Sequence, residues 1–339
     1  MKVLLSGTAS ASGWPVPGCG CASCAGLPSG HRRPFELVVD DVIPFPFADV
    51  PPGYRACARG LGLSGPDGTA LVCLPPGQDL PPDGPSRYDG PSRYDVVLID
   101  LLDRPERLGA LRRAGLVDEG TRVVAVGLDH RVRSEEELAR RLRLWGAVAV
   151  PDGTVLETGA EHATPRDLVR RALLLGGSRS GKSAEAELRL AAEPYVTYVA
   201  TGPDGVGDGE WAARVRAHRT RRPAHWDTVE TIDLAGAIRG AARPLLIDGL
   251  GTWLAAVFDA HGAWEGDRAP VEGRCDELVA AWRQTPRPIV AVSDEVGMGV
   301  VPATASGRAF RDALGRLNER LAAESEYVAL VVAGRPLAL

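Results

Sequence analysis

The alternation of apolar and polar positions divides the chain into two series of predicted strands and helices. In the first series, short runs rich in Val and Leu predict buried strands. These strands are expected at Lys2–Leu5, Phe35–Val39, Ala70–Leu74, Asp95–Ile99, Arg122–Val126 and Ala147–Val150. Helical spacing of apolar residues predicts helices over Pro105–Ala114 and Ser134–Leu144. Ser134 followed by Glu137 has the spacing of a capping box.

The second series alternates strands with helical patterns. Its strands are expected at Arg170–Leu175, Tyr195–Ala200, Pro244–Ile247, Pro288–Val292 and Tyr327–Val332. Such alternation predicts a mainly parallel α/β sheet with helices on its faces. We therefore expect a first domain over residues 1–155, a linker over 156–169 and a second domain over 170–339. The turn signal Pro151-Asp152-Gly153 precedes the linker.

The composition fits a globular protein of two domains. The chain has 339 residues, of which 45% are hydrophobic and 24% charged. Its net charge of -5 provides no general attraction to nucleic acid or acidic membranes. No apolar run reaches the ~18 residues of a membrane helix, and the apolar start is too short for a signal peptide. We expect a cytoplasmic protein with no nucleic-acid partner and no membrane span.

A glycine-rich loop after the first strand of the second series is the clearest chemical motif. The residues Gly176-Gly177-Ser178-Arg179-Ser180-Gly181-Lys182-Ser183 follow the pattern G-x-x-x-x-G-K-[ST]. The glycines allow backbone amides to converge on phosphate oxygens, and the following helix adds its positive N-terminus. Lys182 is expected to reach the terminal phosphates and Ser183 to bind Mg²⁺. The alternative is a chance Gly/Ser-rich loop, which the flanking strand and helix argue against.

An acidic residue that ends another strand supplies a second expected magnesium contact. Asp248 follows the apolar run Pro244–Ile247, and ligands of parallel sheets bind at the carboxyl ends of the strands. The alternative is that Asp248 only forms a turn before Gly249.

A basic segment carries two histidines beside the predicted nucleotide site. Five arginines lie within residues 214–222, followed by His225, Trp226 and Asp227. These arginines fit either a solvated helix face or a set of groups that neutralise phosphates. His218 and His225 are both candidates for nucleophilic catalysis through an imidazole nitrogen. Their spacing does not choose between them.

Five ordered stretches resemble one enzyme family. They are LGGSRSGKS at Leu175–Ser183, YVAT at Tyr198–Thr201, ARVRAHRTRRPAHWDTVE at Ala213–Glu230, LID at Leu246–Asp248 and SDEVGMGVVP at Ser293–Pro302. Together they resemble the bifunctional adenosylcobinamide kinase / adenosylcobinamide-phosphate guanylyltransferase family of cobalamin biosynthesis. The resemblance implies a P-loop NTPase fold, GTP or ATP and adenosylcobinamide as substrates, and a homotrimer.

The resemblance also implies two reactions and their residues. A triphosphate phosphorylates the corrinoid hydroxyl with the help of Lys182, and GMP then passes from GTP to the product through a guanylylated histidine. The family's histidine precedes an Arg-Pro-x-x-Trp element, which here indicates His218 rather than His225. The nucleotide-binding residues implied are Gly176, Gly177, Ser178, Arg179, Ser180, Gly181, Lys182, Ser183, Ala200, Thr201, Gly202, Arg219, Thr220, Arg221, Arg222, Glu230 and Asp248, of which Ser183 and Asp248 hold Mg²⁺.

One position departs from the family's pattern. The family commonly has Cys-x-Thr after the acidic residue, whereas this chain has Gly249-Leu250-Gly251. The missing hydroxyl at position 251 bears on the kinase step. Two alternatives therefore remain: a guanylyltransferase without kinase activity, and a nucleotide-binding regulatory protein without either activity.

Three cysteines near the N-terminus form a cluster in sequence. Cys19, Cys21 and Cys24 have a spacing that can chelate one zinc ion with a fourth ligand from elsewhere, for which His31 and His130 are both candidates. The alternative is three reduced thiols in a loop.

The first 26 residues also resemble metallo-β-lactamase-fold hydrolases of the phosphodiesterase-like branch. In that branch such a cysteine group can hold a structural zinc. The hydrolytic centre of that fold needs a His-x-His-x-Asp-His cluster, and Asp129-His130 is only a fragment of one. We therefore expect a shortened, catalytically inactive domain with a scaffold, docking or regulatory role.

Overall fold

The computed structural model describes residues 1–80, 90–160, 169–202 and 222–339. The chain forms two compact units: Met1–Asp167 with Ala191–Pro194, and Leu168–Leu190 with Tyr195–Leu339. None of the helices in these described parts is both long and apolar enough to cross a membrane.

The first unit contains two sheets and three short helices among its described residues. The strands are β1 (Lys2–Gly7), β2 (Glu36–Val39), β3 (Ile43–Pro44), β4 (Arg55–Cys57), β5 (Gly62–Ser64), β6 (Ala70–Leu74), β7 (Val96–Ile99), β8 (Arg122–Ala125) and β9 (Thr154–Glu157). The helices are α1 (Ala22–Ala25), α2 (Glu106–Arg113) and α3 (Glu135–Trp145), with a 3₁₀ turn at Ala58–Gly60. One sheet has the strand order β3-β2-β1-β9 and the other β4-β5-β6-β7-β8.

An apolar core joins the two sheets of the first unit. One buried cluster contains residues of both sheets: Val3 and Leu37 from the first, and Leu71 and Leu98 from the second. Sheets that share a buried face in this way form a two-layer packing. The first unit is therefore a mixed α/β structure built around paired sheets.

Several sequence predictions for this unit can be compared with its strands and helices. The strand predicted at Ala70–Leu74 is confirmed with the same bounds, whereas Ala147–Val150 is not a strand and forms only a bridge from Val148 to Val124. The predicted domain limit at residue 155 falls inside β9, because Leu156 and Glu157 pair with β1.

The second unit is a three-layer α/β structure. Its strands are β10 (Arg171–Gly176), β11 (Thr197–Ala200), β12 (Asp227–Glu230), β13 (Leu245–Asp248), β14 (Ile289–Asp294), β15 (Tyr327–Val332) and β16 (Arg335–Ala338). Its described helices are α4 (Lys182–Leu190), α5 (Leu234–Arg239), α6 (Leu250–Ala260), α7 (Ala269–Arg283) and α8 (Ala305–Ala323). The sheet order is β12-β11-β13-β14-β10-β15-β16, and only the β15–β16 pair is antiparallel.

Side chains that alternate along the central strand supply both faces of this sheet. Leu173 and Leu175 of β10 pack into the core formed with α5 to α8, while Ala172 and Leu174 pack into a second core that includes α4. A strand buried on both faces reads as a continuous apolar run, which is the pattern seen in its sequence. The predicted mainly parallel sheet with helices on both faces is confirmed.

Candidate functional site

The glycine-rich loop joins β10 to α4, as its sequence pattern predicts. Gly176 has no room for a side chain, because a Cβ there would lie 2.8 Å from the Val331 carbonyl oxygen. Gly181 has a positive φ of 97°, and a Cβ there would lie 2.9 Å from Gly334 Cα. Both glycines are therefore required by close backbone approach or by a left-handed conformation. The loop leads into the N-terminus of α4, where a phosphate group is favoured.

The lysine of the loop points back over the loop. Lys182 Nζ donates to the Gly177 carbonyl oxygen at 3.0 Å and lies 2.9 Å from Asp294 Oδ1. The Lys182 side chain is only 8% exposed. The ammonium group is thus held inside the loop that is expected to bind phosphate.

The two residues predicted to hold magnesium lie side by side. Asp248 is the last residue of β13, and its Oδ1 accepts a hydrogen bond from Ser183 Oγ at 3.3 Å. Its Oδ2 accepts a second hydrogen bond from the Tyr198 hydroxyl at 2.9 Å. A carboxylate and a hydroxyl are both oxygen ligands of the kind that Mg²⁺ binds.

An aromatic ring links the magnesium pair to the basic segment. The Arg222 guanidinium carbon lies 3.2 Å above the centre of the Tyr198 ring, which is within the range of a cation–π contact. Tyr198 is buried, and this burial, with the Asp248 charge, raises the pKa of its hydroxyl far above the usual range. The hydroxyl therefore stays protonated and can donate to Asp248 at any physiological pH.

Three further predicted residues, Ala200, Thr201 and Glu230, lie at the same edge of the sheet as Asp248. Ala200 pairs with Glu230 on one side and with Asp248 on the other. The Thr201 side chain is buried, and its hydroxyl contacts the backbone of Gly249. Thr201 therefore braces the turn after β13, and its hydroxyl has this internal partner.

Four of the predicted residues lie outside the described residues. They are His218, Arg219, Thr220 and Arg221. Arg222, the next residue along the chain, is described and contacts Tyr198.

Asp294 was missed by the sequence reasoning. It ends β14, which lies between the loop strand β10 and the Asp248 strand β13. The rule that selected Asp248, an acid at the carboxyl end of an apolar strand, applies equally to Asp294. That signal was present in the sequence and would have found it.

A second group of chemically active side chains lies in the first unit. Cys19, Cys21, Cys24 and His130 bring their ligand atoms within 4.8 Å of one another. The three Sγ atoms lie 3.2, 3.7 and 3.6 Å from His130 Nδ1. Within the described parts of the chain, this is the group of His, Cys, Asp and Glu side chains that could converge on a metal ion.

Buried contacts hold the two segments of this cluster together. The Ser23 hydroxyl donates to the Val132 carbonyl oxygen at 2.7 Å, which ties the cysteine segment to the His130 segment. The Trp14 indole donates to the same hydroxyl at 3.2 Å. The backbone amide of Cys24 lowers the pKa of the Cys21 thiol to about 7, which favours its thiolate.

The other candidate fourth ligand has a different partner. His31 Nε2 lies 2.8 Å from Glu135 Oε1, and Arg32 binds both oxygens of the same carboxylate. Of the two histidines left open by the sequence, His130 is the one that the structure brings to the cysteines.

The phosphate loop, the following helix and the paired Ser183 and Asp248 place the second unit in the class of P-loop nucleotide-binding proteins. Residues 172–339 match a family described as cobinamide kinase / cobinamide phosphate guanyltransferase.

Three curated relatives align with the same part of the chain. The bifunctional adenosylcobalamin biosynthesis protein CobP of Pseudomonas aeruginosa is 41% identical over 175 residues, which cover 50% of this chain and 96% of the relative. The protein CobU of Salmonella typhimurium is 38% identical over 48% of this chain and 95% of the relative. The corresponding values for CobU of Escherichia coli are 37%, 48% and 95%. The chain therefore belongs to the cobinamide kinase / cobinamide phosphate guanyltransferase family.

Proposed function

We propose that this protein is a bifunctional enzyme of cobalamin biosynthesis, which phosphorylates adenosylcobinamide and then guanylylates the product. The observation that carries the proposal is the complete phosphate loop, with Ser183 and Asp248 in contact, inside the part of the chain that matches the family. The relatives that align over 95% or more of their length are bifunctional proteins, which supports this function over a nucleotide-binding protein without activity.

In the kinase step, the loop amides and Lys182 hold the triphosphate. Ser183 and Asp248 would hold Mg²⁺, and their oxygens, 3.3 Å apart, are close to the ~3 Å between neighbouring ligands of an octahedral ion with ~2.1 Å bonds. The bound ion would neutralise charge on the phosphates. The corrinoid hydroxyl attacks the terminal phosphorus and releases its proton to solvent, while the bond from that phosphorus to the bridging oxygen breaks and the nucleoside diphosphate leaves.

In the guanylyl transfer step, the proposed nucleophile is His218. Its imidazole nitrogen attacks the α-phosphorus of GTP and pyrophosphate leaves. A phosphate oxygen of the corrinoid then attacks the same phosphorus, the phosphorus–nitrogen bond breaks and the histidine is released. Arg222 follows His218 by four residues and lies over Tyr198, which binds Asp248. This contact supports a place for the basic segment beside the phosphates. Arg219, Arg221 and Glu230 are proposed to complete the nucleotide site.

A product assay tests both activities. The full chain is incubated with adenosylcobinamide, Mg²⁺ and either ATP or GTP. The corrinoids are then separated and identified by mass spectrometry. We expect the phosphate and, with GTP, the GDP derivative. Lys182→Ala should reduce both products at least ~100-fold, because the lysine contacts the phosphates in both reactions. Formation of neither product by folded wild-type protein would refute the proposed function.

We also propose that Cys19, Cys21, Cys24 and His130 bind one structural zinc ion. Tetrahedral zinc with ~2.3 Å bonds to sulfur and ~2.0 Å bonds to nitrogen places these ligand atoms ~3.5 Å apart. The sulfur-to-nitrogen distances of 3.2 to 3.7 Å support the proposal. Four protein ligands leave no open position, so the role is to fasten two loops of the first unit rather than to catalyse a reaction.

Metal analysis of the full chain tests this site. We expect one zinc per chain after purification without added metal, and loss of that zinc in His130→Ala. The matched control is His31→Ala, which removes a histidine that pairs with Glu135 and should keep the zinc. Zinc retained by His130→Ala, or absent from the wild type under zinc-replete expression, would contradict the proposal.

For the first unit as a whole, we propose a shortened metallo-β-lactamase-like domain with a scaffold, docking or regulatory role. Its two sheets around one core support this fold. For the assembly, we propose a homotrimer. Exposed apolar side chains of Met298, Val300 and Val301 in the second unit support a surface that association would cover.

A further inference from the structure

The ammonium group of the phosphate loop is bound by a carboxylate. Lys182 Nζ lies 2.9 Å from Asp294 Oδ1 and donates to the Gly177 carbonyl oxygen. The Lys182 side chain is 8% exposed and that of Asp294 is 44% exposed. The cation expected to meet the terminal phosphates is thus engaged with protein oxygens, one of them negatively charged.

Three hydrogen bonds hold the chain at Asp294: one to its own carbonyl oxygen and one at each neighbouring residue. The buried Asn318 donates from Nδ2 to the Asp294 carbonyl oxygen at 3.1 Å, and its Oδ1 accepts from the Ser293 hydroxyl at 2.6 Å. The Glu295 amide donates to the Gly176 carbonyl oxygen at 3.1 Å, which ties the end of β14 to the start of the loop. The position of the carboxylate next to Lys182 therefore follows from the sheet rather than from a free loop.

A glycine in the first turn of α6 leaves the space that the carboxylate occupies. A Cβ at Gly251 would lie 2.6 Å from Asp294 Oδ2, which is closer than atoms of this kind approach. Any side chain at position 251 would displace the carboxylate or be displaced by it. The absence of a side chain at Gly251 therefore allows the Asp294 carboxylate to lie next to the Lys182 ammonium group.

We propose that Asp294 is a positioning residue that competes with the triphosphate for Lys182 and so lowers the affinity of the enzyme for nucleotide. Lys182 has to leave Asp294 to meet the terminal phosphates, and the carboxylate then lies beside groups of its own charge. Its replacement by a neutral amide of the same shape should tighten binding by about 10- to 100-fold, which corresponds to a hydrogen bond between charged groups. If Asp294 served only to maintain the structure of the loop, its replacement would weaken nucleotide binding instead.

A binding titration with variants of the full chain tests this inference. The probe is a fluorescent GTP analogue with Mg²⁺, and the quantity measured is Kd. We expect tighter binding for Asp294→Asn and a smaller gain for Gly251→Ala, which keeps the carboxylate but pushes it from Lys182. The matched control is Glu295→Gln, because the Glu295 carboxylate accepts from the Gly297 amide at 2.7 Å. Its Kd should stay within about twofold.

A double-mutant cycle shows whether the effect passes through Lys182. In the Lys182→Ala background, Asp294→Asn should no longer tighten binding, because no ammonium group remains for the carboxylate and the phosphates to compete for. An unchanged or higher Kd for Asp294→Asn overturns the inference. So does a gain in affinity that persists in the Lys182→Ala background or appears equally in Glu295→Gln. If Asp294→Asn fails to fold, Gly251→Ala decides alone, and no gain there overturns the inference.

The inference rests on the proposed nucleotide site but not on both reactions. If wild-type protein binds the analogue yet forms no corrinoid product, the proposed function fails while the competition is still measured. If the products form and Asp294→Asn gains no affinity, only this inference fails. Turnover adds a second readout: we expect Asp294→Asn to lower the KM for nucleotide at least ~10-fold without raising kcat.

Discussion

At the scale of single residues, Asp248 connects two hydroxyl groups of the nucleotide site. Each of its carboxylate oxygens accepts one hydroxyl hydrogen bond, from Ser183 and from Tyr198. This arrangement holds the carboxylate in a fixed orientation toward the loop. A fixed carboxylate beside a serine hydroxyl is suited to a small divalent cation that tolerates little distortion.

Replacement of this carboxylate should change the magnesium requirement. In Asp248→Asn, the loss of negative charge weakens the binding of Mg²⁺. We therefore expect the Mg²⁺ concentration for half-maximal corrinoid phosphorylation to rise at least ~10-fold. A magnesium titration of initial rates measures this. Tyr198→Phe is the control, because it removes one hydrogen-bond donor but keeps the charge, and its shift should be smaller. An unchanged magnesium dependence of Asp248→Asn would argue against this role.

The residues that sequence reasoning found at this scale are those with a local signature. Lys182 and Ser183 follow from the loop pattern, and Asp248 from its place at the end of an apolar strand. The pairing of Lys182 with Asp294 depends on β14 lying next to β10, which a strand order decides and a local pattern does not. The choice of His130 over His31 likewise depends on the distant Glu135.

At the scale of elements, helix α3 shows how far local rules reach. Ser134 caps the helix as predicted, because its hydroxyl accepts from the Glu137 amide at 3.2 Å. The second half of the predicted capping box is wrong. The Glu137 carboxylate accepts from Arg140 and Arg141 at 2.8 Å each, so it does not reach back to Ser134. Two arginines one turn away outweigh one backbone amide for a carboxylate.

These arginines give the first unit a stability that depends on pH. Burial opposes the ionisation of Glu137, but the hydrogen bonds from Arg140 and Arg141 outweigh it and lower its pKa from 4.5 to about 2. The stabilisation is therefore complete above the ordinary pKa of 4.5 and is lost as the pH falls toward 2. We expect Glu137→Gln to lower Tm at pH 7, with the difference from wild type shrinking between pH 4.5 and 2.

Thermal unfolding of both proteins across this pH range measures the effect. Glu136→Gln, on the same turn, is the matched control, since the ionisation of an exposed neighbouring carboxylate should matter less. A difference in Tm between wild type and Glu137→Gln that stays constant down to pH 2 would contradict the assignment.

Two of the strands that the sequence missed, β12 and β4, lie at sheet edges. Strand β12 is exposed along its length and β4 has three residues, so neither presents the apolar run that identifies a buried strand. Strand β15 is confirmed with its predicted bounds because it lies inside the sheet. Edge strands depend on a partner rather than on their own pattern, which places them beyond local reasoning.

At the scale of the whole molecule, family membership is established for the second unit. The match covers residues 172–339, and the relatives are covered over 95% or more of their length by about half of this chain. The sequence predicts two domains and sets the limit of the first at residue 155, which lies inside β9, because a short strand that returns to β1 resembles a linker.

The proposed homotrimer has a direct measurement. Light scattering of the eluted full chain should give three times the 35.8 kDa mass of one chain. Because an aspartate in an apolar interface is costly, Val300→Asp should shift the mass toward the monomer. Val42→Asp, at an exposed apolar position of the first unit, is the control and should keep the trimer. A monomeric wild type at micromolar concentration would contradict the proposal.

The covalent intermediate tests the central proposal most directly. Full-length protein is incubated with Mg²⁺ and GTP labelled at the α-phosphate, then digested so that the labelled residue can be mapped. We expect one acid-labile GMP per chain on His218, absent from His218→Ala and retained in His225→Ala. Folded wild-type protein that binds GTP but acquires no label, or a label that persists in His218→Ala, would contradict the guanylyltransferase mechanism.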